Sequence, residues 1–434
     1  MCHGDQDPIG LTHVCRAWKE IFASHSPLWT HFDCVGKSKT RLYLERSKSS
    51  PINLSLVRVP PSRFRDSLPP CDPFFQIVPH AIERLKSLSV KAIPRIVQTV
   101  ITSLSRPAPL LEEIMIAVCR EYKPGGDPVL ASPLFDGALP LLRKLHLESV
   151  RTELPWRDMI NLTSFKLVHT SVSIGQLLDF FQSAPSLREV ELLSATPTSG
   201  VQNQQLVSLG CLERMVIEGD EPPHLLLDHL LIPLGASLTT QATFLTSIIE
   251  DLLPRSLGNL KNLSDFTTVL LSADEDLRME FIGPNGKLSM VSIDPEGDPT
   301  SLMFEALAHF DTSKTKRLKI HCGSSPFNGP LHRALLPMEN LRSLTLSQCK
   351  LPHLLIDALR PRTVNLLETI VCPGLEELCI DGEVFDIRYL IEVAAARAEM
   401  GSQLNSVKVA TWHGFRHTAA DALELRKHVL HVEC

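Results

Sequence analysis

A short unit, apolar-x-x-apolar-x-apolar, recurs along most of this chain and limits the folds open to it. It reads Leu85/Leu88/Val90, Leu111/Ile114/Ile116 and Leu142/Leu145/Leu147, then Leu162/Phe165/Leu167, Leu187/Val190/Leu192 and Leu212/Met215/Ile217. After a gap it resumes as Leu288/Val291/Ile293, an incomplete Leu318/Ile320, Leu341/Leu344/Leu346, Leu375/Leu378/Ile380 and Leu404/Val407/Val409. Neighbouring clear copies lie between 20 residues apart (Leu142 to Leu162) and 34 (Leu341 to Leu375). No copy can bury its apolar side alone, so stacking of copies must supply the core. Apolar helical stretches fall between copies at 176–184, 302–310 and 387–400. Strand, turn and helix in alternation predict an α/β solenoid, with a parallel sheet on one side and helices on the other.

With 434 residues, 44% apolar and 21% charged, the chain can bury a sizeable core and reads as globular. A net charge of −6 argues against a general nucleic-acid binder. The start lacks a basic segment followed by an apolar run, so no secretory signal is expected. The most apolar stretch, 225–238, is interrupted by Asp228 and His229 and is shorter than the roughly 20 residues a spanning helix needs. A cytoplasmic or nuclear location without a membrane partner follows as the expectation. The eleven cysteines have no regular spacing and read as reduced core thiols. The sequons at Asn53, Asn161 and Asn262 are then incidental.

Residues 11–29 (LTHVCRAWKEIFASHSPLW) form a second signal. Leu11, Val14, Cys15, Trp18, Ile21 and Phe22 recur at helical spacing, with Arg16, Lys19 and Glu20 on the other side. Ser24-His25-Ser26-Pro27 then breaks the helix, and Leu28-Trp29 provides an aromatic anchor. Val14-Cys15-Arg16-Ala17-Trp18, followed by Pro27-Leu28-Trp29, resembles the second half of an F-box, the helical module that docks on the Skp adaptor of SCF ubiquitin ligases. The continuation through Thr30-His31-Phe32-Asp33-Cys34 and 40–51 resembles a large family in mushroom-forming fungi that joins an F-box-like segment to leucine-rich repeats. A full F-box opens with a Leu-Pro helix further upstream, whereas residues 1–10 here are polar, so the resemblance covers the second half only.

The resemblance implies a substrate-recognition subunit of an SCF-type ligase. Leu11, Val14, Cys15, Trp18, Leu28 and Trp29 would bind a Skp-type adaptor, and through it a cullin ligase. The alternative is a leucine-rich-repeat scaffold without a ligase role. On either reading the expected organisation is a short all-α partial F-box segment at 1–34, a connecting helix and first strand at 35–60, and an irregular leucine-rich-repeat solenoid at 61–434. Within it, 40–48 reads as a helix and 52–57 as a strand, while Pro60-Pro61 and Pro69-Pro70 mark loops. Residues 220–287 fit the repeat worst and suggest an irregular insertion, with a helix at 243–256 and a hairpin turn at Gly283-Pro284-Asn285-Gly286. An amphipathic helix at about 419–433 would cap the stack.

Signatures of chemistry are few. Cys372 and Cys379 are too far apart for a Cys-x-x-Cys pair and read as core thiols. His413/His417 and His428/His431 have helical spacing without a completing ligand set, and His3, His13 and Cys15 are equally weak. Gly283–Lys287 lacks phosphate-loop spacing. No enzyme activity, catalytic residue, metal or cofactor is expected. Lys37, Lys39, Arg41, Arg46 and Lys48 make a local basic stretch interrupted by Glu45, which reads as a solvated helix face. Residues between the core positions of each strand should point to the open side of the sheet. That places Lys144, His146, Glu148, Glu189 and Glu191 on this side in the first half. Arg317, Lys319, His321, Ser343, Thr345, Ser347, Glu377 and Asp381 occupy it in the second. Such a mixed-sign surface suits an unknown protein target.

Overall fold

A computed structural model describes residues 8–34, 36–58, 74, 79, 81–119, 128–130, 134–152, 159–198, 206–243, 251–263, 265–274, 276–293, 298–321, 331–349, 352–364, 367–382, 386–411 and 419–433. The protein is α/β, its strands mostly parallel, and divides into two compact units, Met1–Leu212 and Glu213–Cys434. Among the described residues no helix is long and apolar enough to cross a membrane.

In the first unit the main sheet is built from β1 (His31–Asp33), β2 (Ile52–Arg58), β3 (Leu85–Ala92), β4 (Glu113–Val118), β5 (Lys144–Glu148), β6 (Ser164–Val168) and β7 (Glu189–Leu193). These strands pair in chain order, all in parallel. The register lines up Leu88, Ile114, Leu145, Phe165 and Val190 in one buried row. Each copy starts in a tight turn rather than in the strand. The N–H groups of Leu142, Leu162 and Leu187 bond the carbonyls of Leu139, Met159 and Ala184 at 3.0–3.2 Å. This turn explains the three-residue step that precedes the two-residue alternation. Just past the strands the backbone turns left-handed at Ser149, His169 and Ser194 (φ 54°, 52° and 48°).

Helices cover the buried side. Pro94–Ser103 packs on β3 and β4. Ile174–Ser183 begins at Ser173, whose Oγ accepts from the Gln176 N–H in a capping box, and stacks Phe180 4.4 Å from Phe165.

The N-terminal segment departs from the single helix expected across 11–22. Cys15 is extended (φ −158°, ψ 170°), so Pro8–Leu11 and Arg16–Ser24 are separate helices. A 3₁₀ turn follows at Ser26–Trp29. His31–Asp33 is the first strand of the sheet, so 1–34 is not all-α. The sheet runs through both expected boundaries, at 34/35 and 60/61, because β1 pairs with β2 and β2 with β3. The helix expected at 40–48 spans Lys37–Ser47.

The second unit contains β8 (Arg214–Gly219), β9 (Ser237–Thr243), β10 (Thr268–Ala273), β11 (Leu277–Ile282), β12 (Lys287–Ile293), β13 (Arg317–His321), β14 (Ser343–Cys349), β15 (Glu377–Gly382), β16 (Leu404–Thr411) and β17 (Val429–Glu433). Its spatial order is β8-β9-β12-β11-β10-β13-β14-β15-β16-β17. The expected hairpin is therefore a double one: β10-β11-β12 is an antiparallel meander laid into the sheet in reverse order, and the other neighbours are parallel. Pro299–Leu307 packs on β10 and β11, and Phe281 lies 4.2 Å from Phe310.

Three expectations change here. In β12 Leu288, Met290 and Ser292 line up with the core residues Phe281, Met279 and Leu277; Val291 is buried as expected but on the other face, opposite Arg278, and Ile293 is half-buried. A hairpin leads into this strand, so Leu288 is already within it and simple alternation starts at once. The copy with only Leu318 and Ile320 is complete: buried Thr315 fills its first position, its N–H bonded to Thr312 O at 3.0 Å. The C-terminal helix stops at Leu425, and Val429–Glu433 is a last parallel strand on β16. His428 and His431 thus lie in a turn and a strand rather than along one helix. Half of the helix expected at 243–256 (244–250), the proline pairs at 60–61 and 69–70, His3, and His413 and His417 lie outside the described residues.

The β11–β12 turn also fixes one residue type. A Cβ on Gly286 would lie 2.7 Å from Leu234 O and 2.9 Å from Ala236 O. Buried Asn262 ties the same loops together, donating to Ala236 O and Lys287 O at 3.3 Å each. We expect Gly286→Ala to lower stability by about 1–3 kcal/mol, because backbone must shift. Gly235→Ala, whose Cβ meets only Asn285 O at 3.8 Å, should change it little. Urea midpoints compare the two, and equal midpoints would remove the close-approach argument.

Candidate functional site

The helix Arg16–Ser24 buries none of its residues in the fold. Within it Trp18 and Ile21 fall at i and i+3 and are 44% and 61% exposed, and Val14, 60% exposed, lies in the bend before the extended Cys15. Leu28 joins them, and Trp18 lies 5.5 Å from the Phe22 ring. Cys15 is exposed at the helix start. The side chain of Leu11 lies outside the described residues, and its backbone belongs to the preceding short helix.

Trp29 is different. It is 1% exposed, so it belongs to the protein's own core and leaves the set of candidate adaptor contacts. Its Nε1 donates to Phe22 O at 2.7 Å, fastening the end of the exposed helix. Tyr43 meets the indole edge-on at 5.2 Å, and the Arg46 guanidinium covers it at 5.1 Å. Of the basic stretch, Arg41 pairs with Glu45 at 2.9 Å, Lys39 lies over the Tyr43 ring, and Arg46 packs on Trp29.

The alternation of burial along the strands agrees with the open-side positions expected from the sequence, except that Ser347 is buried. In the first unit Lys144 and Glu189 are exposed, while His146, Glu148 and Glu191 are half-buried. Lys144 Nζ lies 2.8 Å from Glu113, whose hydrogen bond and charge hold the ammonium pKa above its usual range. Lys166 Nζ lies 2.6 Å from Glu191. His146 is held below the ordinary imidazole value by burial first and then by the charge of Lys166. Glu113 and Lys166 were missed, although they occupy the same between-core positions and the alternation rule covers them.

In the second unit Arg317, Lys319 and Glu377 are exposed, and His321 and Asp381 half-buried. His321 Nε2 lies 2.9 Å from Asp274 Oδ2, and its Nδ1 3.3 Å from Ser347 Oγ. Arg278 and Glu280 of β11 join this surface, with Glu280 2.9 Å from Lys287. Sequence reasoning could not place them beside β13, because the reversal of β10-β11-β12 brings them there. Cys379, expected in the core, is half-buried on this side opposite Thr345 and Lys408, and burial pushes its thiol up. Cys372 is a core thiol, pushed up to about 12 by burial. Among the described residues no three His, Cys, Asp or Glu side chains are arranged to hold a metal ion.

What the geometry defines is an α/β protein with an exposed amphipathic helix and polar sheet surfaces. No family model matches the chain, and no curated protein matches it.

Proposed function

We propose that this chain is the substrate-recognition subunit of an SCF-type ubiquitin ligase. It docks on a Skp-type adaptor through the helix Arg16–Ser24 and holds a target protein on its open sheet surfaces. The observation that carries this reading is the exposed pair Trp18 and Ile21, one turn apart on a helix with no buried residue, with exposed Val14 just ahead of it. Apolar side chains aligned at this spacing suit a groove in a helical partner. The partner's identity comes from the resemblance of Val14–Trp18 and Pro27–Trp29 to an F-box, and the copies of the apolar unit agree with leucine-rich repeats. The chain itself performs no transfer in this reading. It raises the local concentration of the target near a charged ubiquitin carrier, and the chemistry belongs to other subunits.

A pull-down and a calorimetric titration with purified Skp-type adaptor test this. Wild type should bind. A Trp18→Ala/Ile21→Ala variant should bind at least tenfold more weakly, since buried aromatic anchors at an interface contribute about 2 kcal/mol or more. Trp29 stays intact in this variant because it is core. Absence of wild-type binding overturns the ligase reading and leaves a repeat scaffold.

A further inference from the structure

The reversed meander creates a hollow of about 260 Å³ on the open side of the second unit. Ser272 is flanked by Arg278 on β11 and His321 on β13; one rung along, Leu270 is flanked by Glu280 and Lys319. All six line the hollow. Both nearby acids have partners. Glu280 lies 2.9 Å from Lys287 Nζ, and Asp274 2.9 Å from His321 Nε2. Arg278, Lys319 and neighbouring Arg317 have no carboxylate within 4 Å among the described residues. Several bases elsewhere on these surfaces do have carboxylate partners, as in Lys144–Glu113, Lys166–Glu191 and Lys408–Glu433. An excess of positive charge is thus concentrated at this hollow.

We propose that this hollow binds the dianionic phosphate of a phosphate monoester. Arg278 offers a planar fork of N–H donors and Lys319 a mobile point charge, two complementary ways of meeting a phosphate. The Ser272 hydroxyl adds a donor between them, and Leu270 gives an apolar floor for the carrier. His321 is a wall rather than a base. Both its ring nitrogens are engaged, by Asp274 and Ser347. The series Ser347–His321–Asp274 does not form a nucleophilic triad, because its serine is the buried member (9% exposed) and its acid the open one. The site stands without the ligase reading, and the adaptor titration and the following one fail independently.

Calorimetric titration of the full chain at fixed ionic strength tests this, with phenyl phosphate, inorganic phosphate, benzoate and phosphoserine in a capped tripeptide as probes. Phenyl phosphate and inorganic phosphate should bind saturably, and benzoate at least tenfold more weakly than phenyl phosphate. Arg278→Gln and Lys319→Gln, both at exposed positions, should each weaken phenyl phosphate tenfold or more. Arg342→Gln, the same charge change at a base 3.9 Å from Glu376, should leave it unchanged. Tighter binding of the phosphoserine tripeptide than of phenyl phosphate assigns the monoester to a peptide carrier; the reverse order assigns it to a small molecule. No saturable phosphate binding, benzoate binding equal to that of phenyl phosphate, or an equal loss in Arg342→Gln overturns the proposal.

Discussion

Arg397→Ala is expected to lower the unfolding free energy of the second unit by about 1–3 kcal/mol, the range for leaving buried acceptors without their donor. Arg397 sits in the helix Ile387–Glu399 and is fully buried. Its guanidinium donates to Val371 O at 2.7 Å and Leu359 O at 3.5 Å through Nη1, and to Cys372 O at 2.8 Å through Nη2. Among the described residues no carboxylate balances it, and burial lowers its pKa. The side chain therefore satisfies carbonyls of two separate loops, one after the short helix Pro352–Asp357 and one leading into β15. Alanine leaves those acceptors dry and opens a cavity. Arg397→Met fills most of the volume but donates nothing, so it should recover only part of the loss. Urea unfolding of the three proteins measures this, with hydrogen exchange at Glu377–Gly382 as the local readout. A methionine variant as stable as wild type would show that the carbonyl network contributes nothing net.

Nothing in the sequence marks Arg397. In IRYLIEVAAARAEM it is one polar residue of an amphipathic helix, and solvation is the default reading. Its burial depends on two loops, 25 or more residues upstream, that converge on one helix position, for which local periodicity has no term. The same limit governs the meander. The repeat was legible because Leu145/Leu147, Phe165/Leu167 and Leu344/Leu346 each alternate locally after a turn leucine. The pairing of β10 with β13, and of β12 with β9, was not. Alternation identifies a strand and its buried side, but says nothing about its neighbours. Lys319 and His321 were therefore placed correctly on the open side, while Arg278, from a strand adjacent only because of the reversal, went unseen.

Trp29 and Trp18 pose the same question within one motif, and the second large effect separates them. Both belong to the stretch that resembles an F-box, and the resemblance gives both a role at the adaptor surface. Tyr43, Phe32 and Arg46 come from beyond that stretch, and they are what draw Trp29 inward. Trp29→Ala should destabilise the first unit by about 3–5 kcal/mol, as large buried aromatics do when truncated. Trp29→Phe keeps most of the packing and loses the 2.7 Å bond to Phe22 O, so it should cost less and mainly loosen the helix end. Trp18→Ala should change stability by within about 0.5 kcal/mol, because the residue is exposed. Chemical denaturation gives the three values, and hydrogen exchange across Arg16–Ser24 shows whether the helix loosens. If Trp18→Ala destabilises as much as Trp29→Ala, the exposed pair is structural and the docking reading loses its main support. If Trp18→Ala is silent in stability but abolishes adaptor binding, the helix is a surface held ready by Trp29, and the two tryptophans divide anchoring from recognition.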